Sequence, residues 1–186
     1  MGSHRYQVTV RTEGGHSFGS FGNRNAIHVL ASMINALYTV KVPQEGESRT
    51  TYNVGIISGG TSVNTIAQEA GMMYEYRSDN KNCLAKMQNI FEKTIEAFRA
   101  MGVEVEVEKI GDRPCSGEVD QARFDALKNR ARAAVKDILG LEMIDRSGST
   151  DCNIPLSMGV PAICFGVCRG AGVHSVFRCR SHQCRR

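Results

Sequence analysis

The chain has 186 residues, 41% of them hydrophobic, which suits a globular protein holding one ordinary domain or one small domain plus a piece of another. Its net charge of +4 is carried by Arg178, Arg180, Arg185 and Arg186 at the extreme C-terminus, and a basic tail is not the basic face that nucleic-acid binding requires, so no nucleic-acid partner is expected. No apolar run approaches the roughly 20 residues of a membrane span and no signal-peptide pattern opens the chain, which predicts a cytoplasmic protein with no membrane partner.

Residues 5–12 alternate apolar and polar types and are rich in β-branched side chains, the pattern of a half-buried strand. A loop rich in Gly, Ser and Phe follows. Ala26, Ile27, Leu30, Ala31, Ile34 and Leu37 then recur at helical spacing up to Tyr38, with Asn23 or Asn25 as the cap. Val29 and Met33 lie off that stripe. Beyond a polar turn at 43–48, residues 50–58 and 71–78 read as strands. Ser78, Asp79 and Asn80 offer caps for a second helix lined by Leu84, Met87, Phe91, Ile95 and Phe98. Gly102 ends it, and the strict Val/Glu alternation of 103–108 predicts a strand with one solvated face.

Strand, helix, strand, strand, helix, strand is the ferredoxin-like βαββαβ order, an antiparallel four-stranded sheet with two helices on one face. The α+β unit it predicts covers residues 4–112. Residues 118–139 form a third helix with Phe124, Leu127, Ala131, Ala134, Val135 and Ile138 on its inner side. A short helix is expected at 153–158 and a buried strand at 160–167. These elements are too few to close a core, so residues 113–175 read as a piece of a larger α/β domain. Seven cysteines without a two-residue spacing point to reduced thiols rather than a disulfide framework or zinc knuckle.

Four features carry chemistry. His16 follows Gly14 and Gly15, which let the backbone turn tightly and present the imidazole at a loop tip, where it has the reach to donate to a developing oxyanion. Arg77 ends a strand, and its guanidinium suits a carboxylate, with Asn64 as a further donor. Gly148-Ser149-Thr150-Asp151 caps the short helix and offers hydroxyls and amides to an anion. His174 follows a Gly-rich turn and stands without a His-x-Asp, His-x-x-x-His or Glu-Glu neighbour, and a lone imidazole holds zinc poorly.

Gly14-Gly15-His16-Ser17, Asn25-Ala26-Ile27, the Gly59-Gly60-x-x-x-Asn64-x-Ile66 segment followed by Arg77, the Gly-Ser-Thr-Asp turn and Gly170-Ala171-Gly172-Val173-His174 together resemble the two-zinc metallopeptidase family of aminoacylase, peptidase T, carboxypeptidase G and succinyl-diaminopimelate desuccinylase, over nearly all of residues 3–175. The resemblance implies that residues 4–112 are the lid or dimerisation domain, followed by a C-terminal fragment of the zinc-peptidase catalytic domain. It also implies that His16 reaches the partner's active site across a homodimer. Asn64 with Arg77 would hold the substrate carboxylate, Ser149 and Thr150 would face the substrate, and His174 would be the last zinc ligand. The parent enzyme would carry two zinc ions and cleave a peptide or N-acyl amino acid next to a free carboxylate. The remaining ligands and the catalytic Glu-Glu pair would come from sequence outside this chain, which is expected to be inactive alone and to hold no zinc tightly. Gly-Ser-Thr-Asp-x-Asn-Ile-Pro resembles the peptidase T-like branch more than the desuccinylases.

Residues 176–186 depart from that pattern, with four arginines, two cysteines and no acid, and are expected to be disordered; Cys179, His182 and Cys184 lack a fourth ligand. The rival reading is a non-enzymatic dimerisation or binding module on the same fold. An RNA-binding version would use aromatics on the central strands, for which Tyr74 and Tyr76 on one face are the hint.

Overall fold

The computed structural model describes residues 1–145 and 148–164. Its centre is a four-stranded antiparallel sheet of β1 (Gly2–Arg11), β3 (Thr50–Gly59), β5 (Glu69–Ser78) and β6 (Glu104–Arg113), in the spatial order β3-β5-β1-β6. Helices α1 (Ala26–Tyr38) and α2 (Lys81–Ala100) supply the other layer, giving the ferredoxin-like arrangement. Two residues each of β2 (Gly15–His16) and β4 (Thr65–Ile66) pair separately at one end of the sheet.

The core follows from the alternation. Tyr6, Val8 and Val10 of β1 and Met72, Tyr74 and Tyr76 of β5 point to the helical side and are buried against Leu30, Met33 and Leu37 of α1 and Leu84, Met87, Phe91 and Ile95 of α2. Val103 and Val105 are buried at the β6 edge, while Glu106 reaches the solvated face and pairs with Arg11 at 2.7 Å. Tyr74 and Tyr76 are therefore core residues packed around Phe91, with ring centroids 5.3 and 6.4 Å from it, and offer no stacking platform to a nucleic acid. Burial pushes both phenols well above their ordinary pKa.

Asn25 rather than Asn23 caps α1, its side chain accepting the backbone N–H of Ile27 at 2.9 Å. The buried stripe is rotated from the expected one. Met33 is fully buried and Val29 half-buried, while Ile27 and Ala31 face outward. Spacings 26-30-33-37 and 27-30-34-37 fit a 3.6-residue period equally well, and packing against the sheet selects the first. Asn80 caps α2.

Helix α3 (Gln121–Leu139) begins at Asp120, which accepts from the Arg123 N–H, and ends at Gly140 with φ +63°. Its inner side is not buried as expected: Phe124, Leu127, Ala131 and Val135 are half-covered, and Ala134 and Ile138 are exposed. The described residues contain too little structure around α3 to cover it. The short helix is α4 (Asn153–Ser157). Residues 160–164 form no strand, and 165–167, His174 and the 176–186 tail lie outside the described residues. Among the described residues no helix is long and apolar enough to cross a membrane.

Candidate functional site

The two ends of the sheet carry different chemistry. At one end, the strand exits bring together β2, β4 and the turn after His16. Gly15 pairs with Ile66 and His16 with Thr65, and the Ser17 N–H donates to the Asn64 carbonyl at 2.9 Å. The glycines are obligatory here. Gly14 has φ +59°, and a Cβ on it would lie 2.0 Å from Gln68 Cγ and 2.9 Å from the Ile66 carbonyl oxygen. Ser20 N–H to His16 O (2.8 Å) and Asn23 Nδ2 to Gly14 O (2.7 Å) close the turn.

This framework fixes the polarity of both side chains. The backbone N–H groups of Phe18 and Gly19 point at His16 Nδ1 over 3.3 and 3.5 Å, long contacts that both make Nδ1 the acceptor and leave the ring proton on Nε2. Asn64 Oδ1 accepts from Ser62 Oγ at 2.8 Å, so its Nδ2 is left as a donor. His16 and Asn64 are both exposed. The tip thus presents His16 Nε2 and Asn64 Nδ2 on two loops that are hydrogen-bonded to each other.

The opposite end holds Arg77. Its Nη2 donates to Glu75 Oε2 at 2.7 Å, and Arg5 Nε donates to the same oxygen at 3.1 Å. Burial raises the Glu75 carboxyl, but the hydrogen bonds and charges of Arg77 and Arg5 outweigh it and hold the group below its ordinary pKa. Two guanidiniums share one carboxylate, and Arg77 Nε is buried with no hydrogen-bond partner among the described residues. Arg77 pairs across the sheet with Ser3, whose Oγ lies 3.0 Å from Ser149 Oγ. Arg113 Nη1 donates to the Ser149 carbonyl at 2.8 Å.

Asn153, 98% shielded from solvent, anchors that segment: Nδ2 donates to the carbonyls of Met1 and of Pro114 (2.8 Å), and Oδ1 accepts the Thr150 N–H at 3.0 Å. Thr150 lines a cleft of about 400 Å³ with Phe124, Ile144 and Leu156. Asn153's role went unnoticed in the sequence, where it reads only as part of the helix-start motif; an Asn beside a Ser-Thr-Asp turn and ahead of a Pro is the signal that was there.

Of the predicted residues, then, His16 and Asn64 converge, and Arg77, Ser149 and Thr150 gather at the other end. Asn64 and Arg77 do not meet. The run of β5 from Glu69 to Arg77 separates them by roughly 27 Å at about 3.4 Å per residue. Within one copy the two side chains therefore lie at opposite ends of the sheet, because the thirteen-residue step between them includes nearly all of an extended strand. Among the described residues no three metal-capable side chains cluster, so these residues do not fit a zinc centre.

The unit is thus a ferredoxin-like α+β sheet with a polar tip at one end and an arginine at the other. The chain belongs to the peptidase dimerisation domain family, whose model matches residues 1–100. Solved structures share the fold. An aminobenzoyl-glutamate utilization protein from Klebsiella pneumoniae matches with a TM-score of 0.66 at 22% identity, over 83% of this chain and 39% of that one. An amidase of the hydantoinase/carbamoylase family from Burkholderia vietnamiensis matches with 0.61 at 18%, over 86% and 38%. Aminopeptidase PepT from Bacillus cereus matches with 0.57 at 23%, over 86% and 42%. The chain spans about two fifths of the length of these proteins.

Proposed function

We propose that this chain is the lid and dimerisation part of a zinc-dependent metallopeptidase or amidohydrolase that cleaves a peptide or N-acyl bond next to a free carboxylate. The observation that carries this reading is the separation of the two polar ends. A single copy cannot bring His16 and Asn64 to the site that Arg77 and the Ser149–Thr150 turn flank, whereas a two-fold dimer can exchange tips, each copy offering its donors to its partner. His16 Nε2–H and Asn64 Nδ2–H would then stabilise the negative charge that develops on the scissile carbonyl oxygen, and Arg77 would hold the substrate carboxylate in its own subunit.

The edge strand β3 and helix α1 form the contact in this reading. Ile56 and Ile57 are 61% and 55% exposed on an unpaired edge, and Ile27 and Tyr38 of α1 are 42% and 47% exposed beside it. Val29 and Met33, off the stripe expected from the sequence, pack against the core instead and are not part of this contact. Zinc, its ligands and the catalytic carboxylate would lie outside the described residues. The non-enzymatic binding module is the weaker reading, because a scaffold has no use for two oriented donors and a half-satisfied arginine.

The test is a chimera in which residues 1–113 replace the matching lid of the Bacillus cereus aminopeptidase. His16→Ala and Arg77→Ala should each abolish turnover, and mixing the two inactive dimers should restore roughly one quarter of it, because half the dimers are mixed and each has one intact site. Failure to complement after verified subunit exchange would reject the exchange of tips. Assayed alone with added zinc, the 186-residue chain should turn over neither N-acyl amino acids nor dipeptides.

A further inference from the structure

The two edges of the sheet are guarded differently. The β6 edge carries Glu104, Glu106, Glu108, Lys109, Asp112 and Arg113, charges that deter a further strand, whereas β3 carries no charged residue from Thr50 to Gly59. The first half of β3 is closed by another device. Tyr38, at the end of α1, lies over that edge: its hydroxyl accepts the Val54 N–H at 3.1 Å, and its ring meets that of Tyr52 with centroids 5.0 Å apart. A bulge at Gly55 then shifts the register against β5. Beyond the bulge residues 56–59 are exposed, and that stretch borders a hollow of about 260 Å³ lined by Ile57, Ser58 and Gly59 of β3, Ile27 and Leu30 of α1 and Ala70 of β5. Gly59 keeps the hollow open, since a Cβ there would lie 2.7 Å from the Ala70 Cβ.

An uncharged stretch of edge beside an apolar hollow fits a strand that brings one apolar side chain with it, and in a two-fold dimer the arriving strand is this same one. Antiparallel pairing along the whole of β3 would put the axis near Gly55 and would need the Val54 N–H that Tyr38 already holds. Directly opposed residues share a face of the sheet, so pairing confined to the exposed stretch puts the axis on Ile57 or on Ser58. An axis on Ile57 opposes two isoleucines and leaves the hollow empty. An axis on Ser58 sets Ile57 opposite the partner's Gly59, the position with no side chain. We infer that the two-fold axis of the dimer passes at Ser58 and that Ile57 of each copy fills the hollow over Gly59 of the other, against Ile27 and Leu30. Ile56, which pairs with Met73 and turns to the other face of the sheet, takes no part in that plug. This rests on the β3–α1 contact proposed above and adds its register and the side chain that locks it.

Dimers mixed from isotope-labelled and unlabelled copies of the full chain separate contacts between copies from those within one. The Ile57 methyl groups should show nuclear Overhauser contacts across the interface to Ile27 and Leu30. In sedimentation equilibrium, Ile57→Ala should raise the dissociation constant of the dimer at least about tenfold, because each interface loses two buried plugs, and Ile56→Ala by less than about twofold. Contacts between copies that run from Ile57 to Thr50–Val54 in place of Ile27 and Leu30, or equal losses from the two substitutions, would overturn the register and leave the β3–α1 contact standing. A dimer whose copies touch at neither β3 nor α1, or a chain that stays monomeric, would remove that contact and the register with it.

Discussion

The backbone N–H of Ser17 donates to the carbonyl oxygen of Asn64 at 2.9 Å, so two loops separated by nearly fifty residues of chain are tied to each other. The His16 and Asn64 side chains inherit their relative placement from that bond and from the short β2–β4 pairing beside it. Orientation of this kind is what a pair of oxyanion donors needs, since a donor that must reorganise loses most of its worth.

The glycines under the tip give the first expectation. Gly15 has φ +130°, and a Cβ there would meet the Ser20 Cβ at 2.6 Å, so Gly15→Ala must strain the backbone or expel the turn. A loss of about 1–3 kcal/mol in urea denaturation is expected, with amide resonance changes reaching Asn64. Unchanged stability would mean that the turn is not held as described.

Dimerisation gives the second. Light scattering should report twice the monomer mass, and Ile57→Asp should yield the monomer without loss of fold, because the side chain is 55% exposed on an edge strand. A dimer that survives Ile57→Asp places the interface elsewhere.

His4 gives the third, through pH. It is buried; Nδ1 lies 2.9 Å from Tyr76 Oη, which lies 3.0 Å from Tyr6 Oη, and Nε2 lies 3.3 Å from Asp112. Burial lowers its pKa below 6.5 in the folded protein despite the Asp112 charge. The unfolded chain therefore binds the proton first, and stability falls as pH drops through 6.5 towards the folded value, then levels off. Asp112, held low chiefly by the Lys109 hydrogen bond, contributes stability that is lost only further down, below 3.8. Urea midpoints between about pH 7.5 and pH 5 should slope downwards in the native chain and much less in His4→Gln.

Asn153→Ala gives the fourth. Removing the amide leaves the Met1 and Pro114 carbonyls and the Thr150 N–H without their partner, at a local cost of about 2–3 kcal/mol. Trypsin should then cut residues 114–157 sooner while the sheet and α1–α2 keep their hydrogen-exchange protection. Equal cleavage of the two proteins would show that the segment is held by other contacts.

The sheet and its helices were legible because β1 and β5 each have one buried face, α1 and α2 each have one buried stripe, and β3 and β6 alternate over part of their length, so the hydrophobic period speaks directly. The β2–β4 pairing was not, since two residues are too short for any period. The choice of Met33 over Ile34 on α1 was equally hidden, because the two candidate stripes differ by a rotation that only the sheet can select. The buried side assigned to α3 failed for the opposite reason: the periodicity of Phe124, Leu127, Ala131 and Val135 is real, but it records a surface that the described residues do not supply. In the candidate site the residue types were readable and their distances were not. An extended strand turns the twelve residues between Asn64 and Arg77 into a separation of the two ends of the sheet.

Ser3 pairs with Arg113, so the first strand enters the sheet where the last one leaves it. Among the described residues, the hydrogen bonds of Met1, Ser3, Arg113 and Pro114 to the 148–157 segment are gathered at that corner, and the His16 tip stands a full strand length away. Mechanically this is a lever pivoted at one end. With an arm of roughly 30 Å, a rotation of about 10° at the Ser3–Arg113 corner sweeps the tip through roughly 5 Å, enough to carry a hydrogen-bond donor from contact to complete disengagement.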